Sequence, residues 1–254
     1  MIQAIDLTKR YEDGLLALDS LNLKVAPGEI YCLLGANGAG KTTAINLFLN
    51  FIKPTSGLAC INGIDVVKNS QEAKKYVSYL SEQVMLYGHF TARQNLEFFA
   101  KIGGRSGLTK DEYHMVLREV GLQEKAFEQK VKEFSRGMRQ KVGVAIAIIK
   151  DSPAILLDEP TVGLDPKAVA EFLELLDQLR SRSKAILMST HDIFRAKEIA
   201  NRVGIMKEGR KVLERTYEDF KNEDLEALYL EYMRGGLTHE IEFSKSKPNK
   251  SIGY

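Results

Sequence analysis

Ile30-Tyr-Cys-Leu-Leu34 leads straight into Gly35-Ala-Asn-Gly-Ala-Gly-Lys41-Thr42, and the reading of this stretch decides the fold. The first five residues are a continuous apolar run bounded by turn signals, with Pro27-Gly28 just before it. That pattern predicts a strand buried on both faces. The remainder fits G-x-x-x-x-G-K-[ST], and a helical stretch follows from 41 to about 51. A strand, then a glycine loop, then a helix is the context in which such a loop holds phosphate. Glycines let the backbone N–H groups of Gly35, Ala36, Asn37, Gly38, Ala39 and Gly40 turn inward around an anion. The helix start, at Lys41, Thr42 and Thr43, adds the positive end of its dipole. Lys41 can reach the β- and γ-phosphates of a nucleotide, and the Thr42 hydroxyl can ligate Mg²⁺. The bland alternative is a glycine turn with a chance lysine.

The second anchor is Ala154-Ile-Leu-Leu-Asp158-Glu159. An apolar run ending in two carboxylates is costly unless the acids meet a cation. Neighbouring strand residues point to opposite faces, so the two acids have different tasks. Asp158 is suited to hold Mg²⁺ through water, and Glu159 to polarise an attacking water. The alternative is a pair of acids at an exposed strand end.

Outward from these anchors, strands are expected at 2–7, 21–25, 58–61, 76–80, 154–157, 185–188, 203–206 and 211–214. The first two alternate apolar and polar residues, as half-buried antiparallel strands do. Thr91 with Gln94 and Thr109 with Glu112 have capping-box spacing, which predicts helices over 95–102 and 111–120. Residues 82–133 therefore read as an inserted helical lobe. A helix over 166–182 presents apolar residues at 169, 172, 173, 176 and 179 on one face. Strands alternating with helices argue for an α/β core with a mostly parallel sheet. The segment after Phe243 carries three lysines and no acid and reads as a disordered tail.

Composition bounds the function. The chain has 254 residues, 44% hydrophobic and 28% charged, which excludes disordered, fibrous and collagen-like classes. Lys plus Arg is 36 and Asp plus Glu is 34, a net charge of +2, so no nucleic-acid partner is expected. Cys32 and Cys60 lie in apolar runs and read as buried thiols of a reduced, cytosolic protein. Asp6, Lys9 and Arg10 interrupt the start before a signal sequence could form. The longest uncharged apolar run, 142–149, falls far short of the roughly 18 residues that span a bilayer. A soluble chain is expected, with any membrane span supplied by another chain.

A third motif narrows the reading. Phe134-Ser-Arg-Gly-Met138-Arg-Gln-Lys141 lies about 20 residues before Asp158. With the two anchors it resembles the nucleotide-binding subunits of ATP-binding cassette (ABC) transporters, whose signature usually reads Leu-Ser-Gly-Gly-Gln. The resemblance covers about residues 1–215, with a C-terminal helical extension over 216–243 and the tail over 244–254. It implies a P-loop NTPase core with an N-terminal antiparallel β subdomain and an inserted helical lobe. Tyr11 looks like the aromatic that stacks on adenine, although an ordinary strand-end aromatic fits as well. Glu82-Gln83 falls at the Q-loop, and an ungapped alignment gives Glu82 the catalytic and metal-binding position. Gly163-Leu-Asp165 looks like the D-loop, and Ser189-Thr-His191 like the switch histidine. Asp165-Pro166 also suits a helix start, and Ser135 can simply cap the helix after it.

In that family two cassettes meet head to tail, so Ser135 and Gly137 of one chain would face the γ-phosphate held by the other. The resemblance implies ATP and Mg²⁺, a homodimer or a pair with a similar ATPase, and a multi-span membrane permease. It implies a peripheral position on the cytoplasmic face of the membrane. Two departures stand out: Glu82 where the family has Gln, and Arg136 where it has the first glycine. Met138 also replaces Gln. Similar signatures occur among exporter subunits of the drug and sodium-efflux group, as does a short C-terminal helix like that expected at 225–233. A soluble ABC-type ATPase of ribosomes or DNA remains the alternative. It is disfavoured by a single cassette and by only about 50 residues, without heptads, between Glu82 and Phe134.

Overall fold

The computed structural model of the chain describes residues 1–221 and 225–233. The tail expected at 244–254 and the end of the C-terminal extension lie outside the described residues. In chain order the elements are β1 (Ile2–Arg10), β2 (Leu16–Val25), β3 (Ile30–Leu34), α1 (Lys41–Phe48), β4 (Ser56–Ile61), β5 (Ile64–Asp65), α2 (Ser70–Ala73) and β6 (Val77–Leu80). The helices α3 (Ala92–Ile102), α4 (Lys110–Glu119) and α5 (Arg136–Lys150) follow. The chain then runs through β7 (Ala154–Asp158), α6 (Pro166–Ser181), β8 (Ala185–Thr190), α7 (Ile193–Ile199), β9 (Arg202–Lys207), β10 (Arg210–Thr216), α8 (Tyr217–Phe220) and α9 (Leu225–Met233).

Two sheets form among the described residues. The larger has the order β10-β9-β3-β8-β7-β6, parallel throughout except where β10 returns antiparallel on β9. The smaller, β2-β1-β4-β5, is antiparallel. Central strands divide the interior into two cores by their period of two. Ile30, Cys32 and Leu34 of β3 join α5, α6, α7 and the inserted helices in one core. Tyr31 and Leu33 join α1 and the antiparallel sheet in the other. Both faces of β3 are therefore covered, as its unbroken apolar run requires.

Helix starts are written into the local sequence. Thr91 and Thr109 close full capping boxes with Gln94 and Glu112. Ser135 caps α5, Asp165 caps α6 ahead of Pro166, and Asp192 caps α7 through the amides of Phe194 and Arg195.

A charged network ties the outer strands of the large sheet to its centre. The hydroxyl of Tyr31 donates to Glu214 Oε2 at 2.7 Å. Arg202 and Lys211 also bind Glu214, and Arg202 Nη1 donates to Glu29 at 3.0 Å. Burial opposes ionisation of Glu214, but hydrogen bonds from Lys211, Arg202 and Tyr31 outweigh it and pull its pKa down to about 2. Glu214→Gln is expected to cost about 1–3 kcal/mol of stability at neutral pH. The folded value lies below the ordinary 4.5, so this contribution is complete above that pH and is lost as pH falls towards 2. Urea unfolding of both proteins at pH 7 and near pH 3 checks it: the gap should shrink at the lower pH.

Candidate active site

The phosphate loop is shaped by what it must pass. Gly40 has φ +102°, and a Cβ there would lie 2.6 Å from the Ala17 carbonyl oxygen of β2. Only glycine lets the loop turn left-handed, touch β2 and start α1 at once. No side chain caps α1, so its dipole end and first-turn amides face the loop's concave side. At the tip, an added Cβ on Gly38 would meet nothing within 4 Å, which leaves the loop open to a ligand.

Lys41 is buried, at 5% exposure, and its ammonium is fully accounted for. Nζ donates to the carbonyl oxygens of Gly35 at 2.7 Å and Ala36 at 3.1 Å, and lies 3.2 Å from Glu159 Oε1. A buried ammonium needs these acceptors to offset its lost hydration.

Asp158 ends β7, and its Oδ1 accepts from Thr42 Oγ1 at 3.2 Å and from Ser189 Oγ at 2.5 Å. Glu159 has a left-handed backbone, φ +48°, uncommon for a residue with a side chain. Its N–H donates to the Ser189 carbonyl at 3.2 Å and lies 3.0 Å from Ser189 Oγ, which holds the turn. The turn aims the Glu159 carboxylate back over the loop. Its Oε2 accepts from the His191 N–H at 3.3 Å and lies 2.9 Å from His191 Nδ1. One carboxylate thus stands between the loop lysine and the histidine after β8.

The other expected residues lie elsewhere. Tyr11 sits in the turn between β1 and β2, with the Lys9 ammonium 5.1 Å from its ring centre. Ser135 is the α5 cap, accepting from the Met138 N–H at 3.3 Å, and Asp165 accepts from the Ala168 N–H at 3.0 Å. Ser135, Gly137 and Asp165 line one open cleft of about 800 Å³, which no phosphate-loop residue lines. Glu82 is half exposed, and its partner is Arg136 rather than Thr42 or Asp158. Gln83 lines a separate, smaller cavity with Val84, Phe134 and Gln140.

Two residues escaped the sequence reading. Ser189 was visible only as part of a motif, and its grip on both Asp158 and Glu159 depends on β7 and β8 pairing in parallel, Asp158 beside Ser189. Gln140, 1% exposed, donates to the Pro160 carbonyl oxygen at 2.7 Å and so ties α5 to the loop after Glu159. Nothing in its local sequence marks it.

The comparisons with known proteins decide the family. A family model described as ABC transporter matches residues 18–162. The chain is 38% identical over 253 residues to the bacitracin transport ATP-binding protein BcrA of Bacillus licheniformis, covering 99% of this chain and 77% of that one. The chain belongs to the ABC transporter family. It is also 32% identical to the ABC transporter ATP-binding protein NatA of Bacillus subtilis, over 94% of this chain and all of that one. Among solved structures, an ATP-binding subunit of an ABC transporter superposes with a TM-score of 0.81 at 29% identity, over 92% of this chain and 99% of that one. The cassette MJ0796, dimeric and bound to ADP and Pi, superposes at 0.77 with 28% identity, over 85% and 99%. The protein is an ATP-binding and ATP-hydrolysing subunit of an ABC transporter, on an α/β P-loop core.

Ser189→Ala should lower the ATPase rate about tenfold with little change in fold. It removes one donor from Asp158 and one contact from the Glu159 N–H, a loss of about 1–2 kcal/mol. Steady-state hydrolysis beside a thermal melt checks this; an unchanged rate would show that Asp158 and Glu159 hold their places unaided.

Proposed function

We propose that this ABC subunit works as one half of a head-to-tail pair that hydrolyses ATP and drives export through a separate multi-span permease. One observation carries the reading. The chain gathers Lys41, Thr42, Asp158, Glu159 and His191 in one place, and Ser135, Gly137 and Asp165 in a separate cleft. Each cluster is half of a site, and a second chain turned end for end supplies the missing half to both. The dimeric state of the MJ0796 cassette supports that arrangement.

In this reading residues 35–43 cradle the phosphates and Tyr11 stacks on the adenine. The donors suit Mg²⁺: the Thr42 hydroxyl and the Asp158 carboxylate are hard oxygens 3.2 Å apart, few enough to leave room for phosphate oxygens and water. Bound there, the ion would neutralise phosphate charge. Glu82 could join it only by leaving Arg136. Glu159 orients the attacking water, and His191 holds Glu159 from the far side and senses the γ-phosphate. Both oxygens of Glu159 are engaged here, one by Lys41 and one by His191, so phosphate arrival at Lys41 frees the base. Ser135 and Gly137 act on the partner's nucleotide, with Asp165 beside them at the junction.

No helix among the described residues is long and apolar enough to cross a membrane. In this reading a separate permease supplies the span, and the subunit sits at the membrane's cytoplasmic face. The docking surface follows from side chains that the lobe does not bury. Leu86 packs into the core, while Met85 is 81% exposed and Tyr87 48%. Tyr87 packs against Phe90 at a ring distance of 5.3 Å and meets Phe98 edge to face at 4.5 Å. Buried Asn95 fixes this segment by accepting from the Tyr87 N–H at 2.9 Å. An aromatic surface on a fastened loop suits an apolar helix from the permease. Export, rather than import, is supported by a relative named for Nod factor export, 36% identical over 81% of this chain and 67% of that one.

Two experiments test this. Glu159→Gln should retain ATP binding, lose more than about 99% of hydrolysis, and elute as a dimer with ATP on size exclusion. A monomer at every ATP concentration would overturn the paired reading. Met85→Asp and Tyr87→Asp should keep hydrolysis but abolish co-purification with the permease. Wild-type recovery of the complex from both would move the docking site elsewhere.

A further inference from the structure

Two of the three departures from the family pattern, Glu82 and Arg136, carry opposite charges and meet in space. Arg136 Nη2 donates to the Glu82 carbonyl oxygen at 2.7 Å and to Glu82 Oε1 at 3.3 Å. The same guanidinium lies beside Gly163, where an added Cβ would sit 2.5 Å from Nη1. Gly163 is also left-handed, φ +71°, so no other residue would leave that seat open without strain. Arg136 is the first residue of α5, and Ser135 is its cap. One side chain therefore touches the loop after β6, the loop after β7 and the start of α5. One turn further on, Gln140 makes its own tie to Pro160. A lone glutamate at 82 would add unpaired charge near a phosphate site, and a lone arginine at 136 would keep the backbone carbonyl of residue 82 but lose its countercharge. Together they neutralise each other.

We propose that Glu82 and Arg136 form one positioning device. Arg136, held by Glu82 and seated on Gly163, sets where Ser135 stands relative to the core of its own chain. Through Ser135 it governs hydrolysis at the nucleotide held by the other chain. The device replaces a neutral glutamine and a glycine with a charge pair, so neither member is exchangeable alone. This rests on the head-to-tail reading above. Arg136 is a positioning residue: it lines the same cleft as Ser135 and Gly137, but its guanidinium is engaged by Glu82 of its own chain.

The test is a charge-reversal cycle on the full chain, with kcat, KM for ATP, affinity of the monomer for a fluorescent ATP analogue, and thermal midpoint read for each variant. Arg136→Glu sets two carboxylates face to face and should lower kcat about tenfold or more, while KM and analogue affinity stay within about twofold. Adding Glu82→Arg to that variant should recover at least about a third of the wild-type kcat. Glu82→Ala and Arg136→Ala should combine non-additively, the double variant being no worse than Arg136→Ala. If Arg136→Glu does not fold, the alanine cycle decides alone. The proposal is overturned by losses that add, by a kcat for Arg136→Ala within twofold of wild type, or by a loss that falls on KM and analogue affinity. Wild-type activity separates the two readings. A rate per chain that does not rise with protein concentration counts against the head-to-tail pair, whereas a rising rate with an additive cycle counts against the Glu82–Arg136 device.

Discussion

A buried ammonium cannot stand alone, and much of this structure follows from that of Lys41. It must leave water to lie at the base of a phosphate loop, and desolvating a charge of that kind costs several kcal/mol. The fold repays the cost with two loop carbonyls and the carboxylate of Glu159. Each acceptor imposes something further. The carbonyls demand a tightly wrapped loop. Glu159 must turn left-handed to reach back, and that turn needs Ser189 on the neighbouring strand to hold its N–H. Ser189 in turn engages Asp158, which engages Thr42. The chain of contacts begins and ends on α1. In the reading proposed above, phosphate would take the place of the lysine's acceptors, so the contacts that offset burial would also report its arrival.

The parts of this arrangement differ in how legible they were. The strand 30–34 and the helix 225–233 stand where the sequence puts them, because an unbroken apolar run and a clear helical spacing are local facts. The capping boxes at Thr91 and Thr109 are real, yet both helices begin earlier than their apolar residues suggested, at 92 and 110. The helix expected to reach 51 stops at Phe48, and β2 begins at Leu16 rather than 21 because extra residues of β2 between 16 and 21, where Ser20 is left-handed, break its alternation against β1. The last strand of the sheet runs to Thr216, one residue past the expected end of the core. The helix α7 has no place in the sequence reading: Asp192, just past the Ser189-Thr-His191 motif, is its N-cap. The tiny β5 and α2 carry no periodic signal at all.

The site divides the same way. Lys41, Thr42, Asp158 and Glu159 announce themselves by spacing, since a loop and a strand end fix their positions within a few residues. Partnerships across the fold do not. Arg136 and Glu82 are 54 residues apart, and only the topology brings them to hydrogen-bond distance. Read alone, Glu82 looks like a displaced metal ligand and Arg136 like a spoiled signature. Gln140 and Ser189 are similar cases. Their importance lies in what the third dimension sets beside them, which neither spacing nor residue type encodes.

The edges of the sheets have a consequence of their own. An unpaired strand edge invites any other strand to join it. Here the exposed rims are occupied from within. Lys211 reaches across to the Asn22 carbonyl oxygen of β2 at 2.6 Å, and Arg202 to that of Lys24 at 2.9 Å. At the far side of the large sheet, Lys150 covers the Val77 carbonyl oxygen at 2.9 Å. The terminal strand β10 is studded with Arg210, Lys211, Glu214 and Arg215. Long basic side chains thus spend their donors as bumpers along the flanks. In the head-to-tail pair proposed above, flanks that do not adhere sideways would leave association to the nucleotide face.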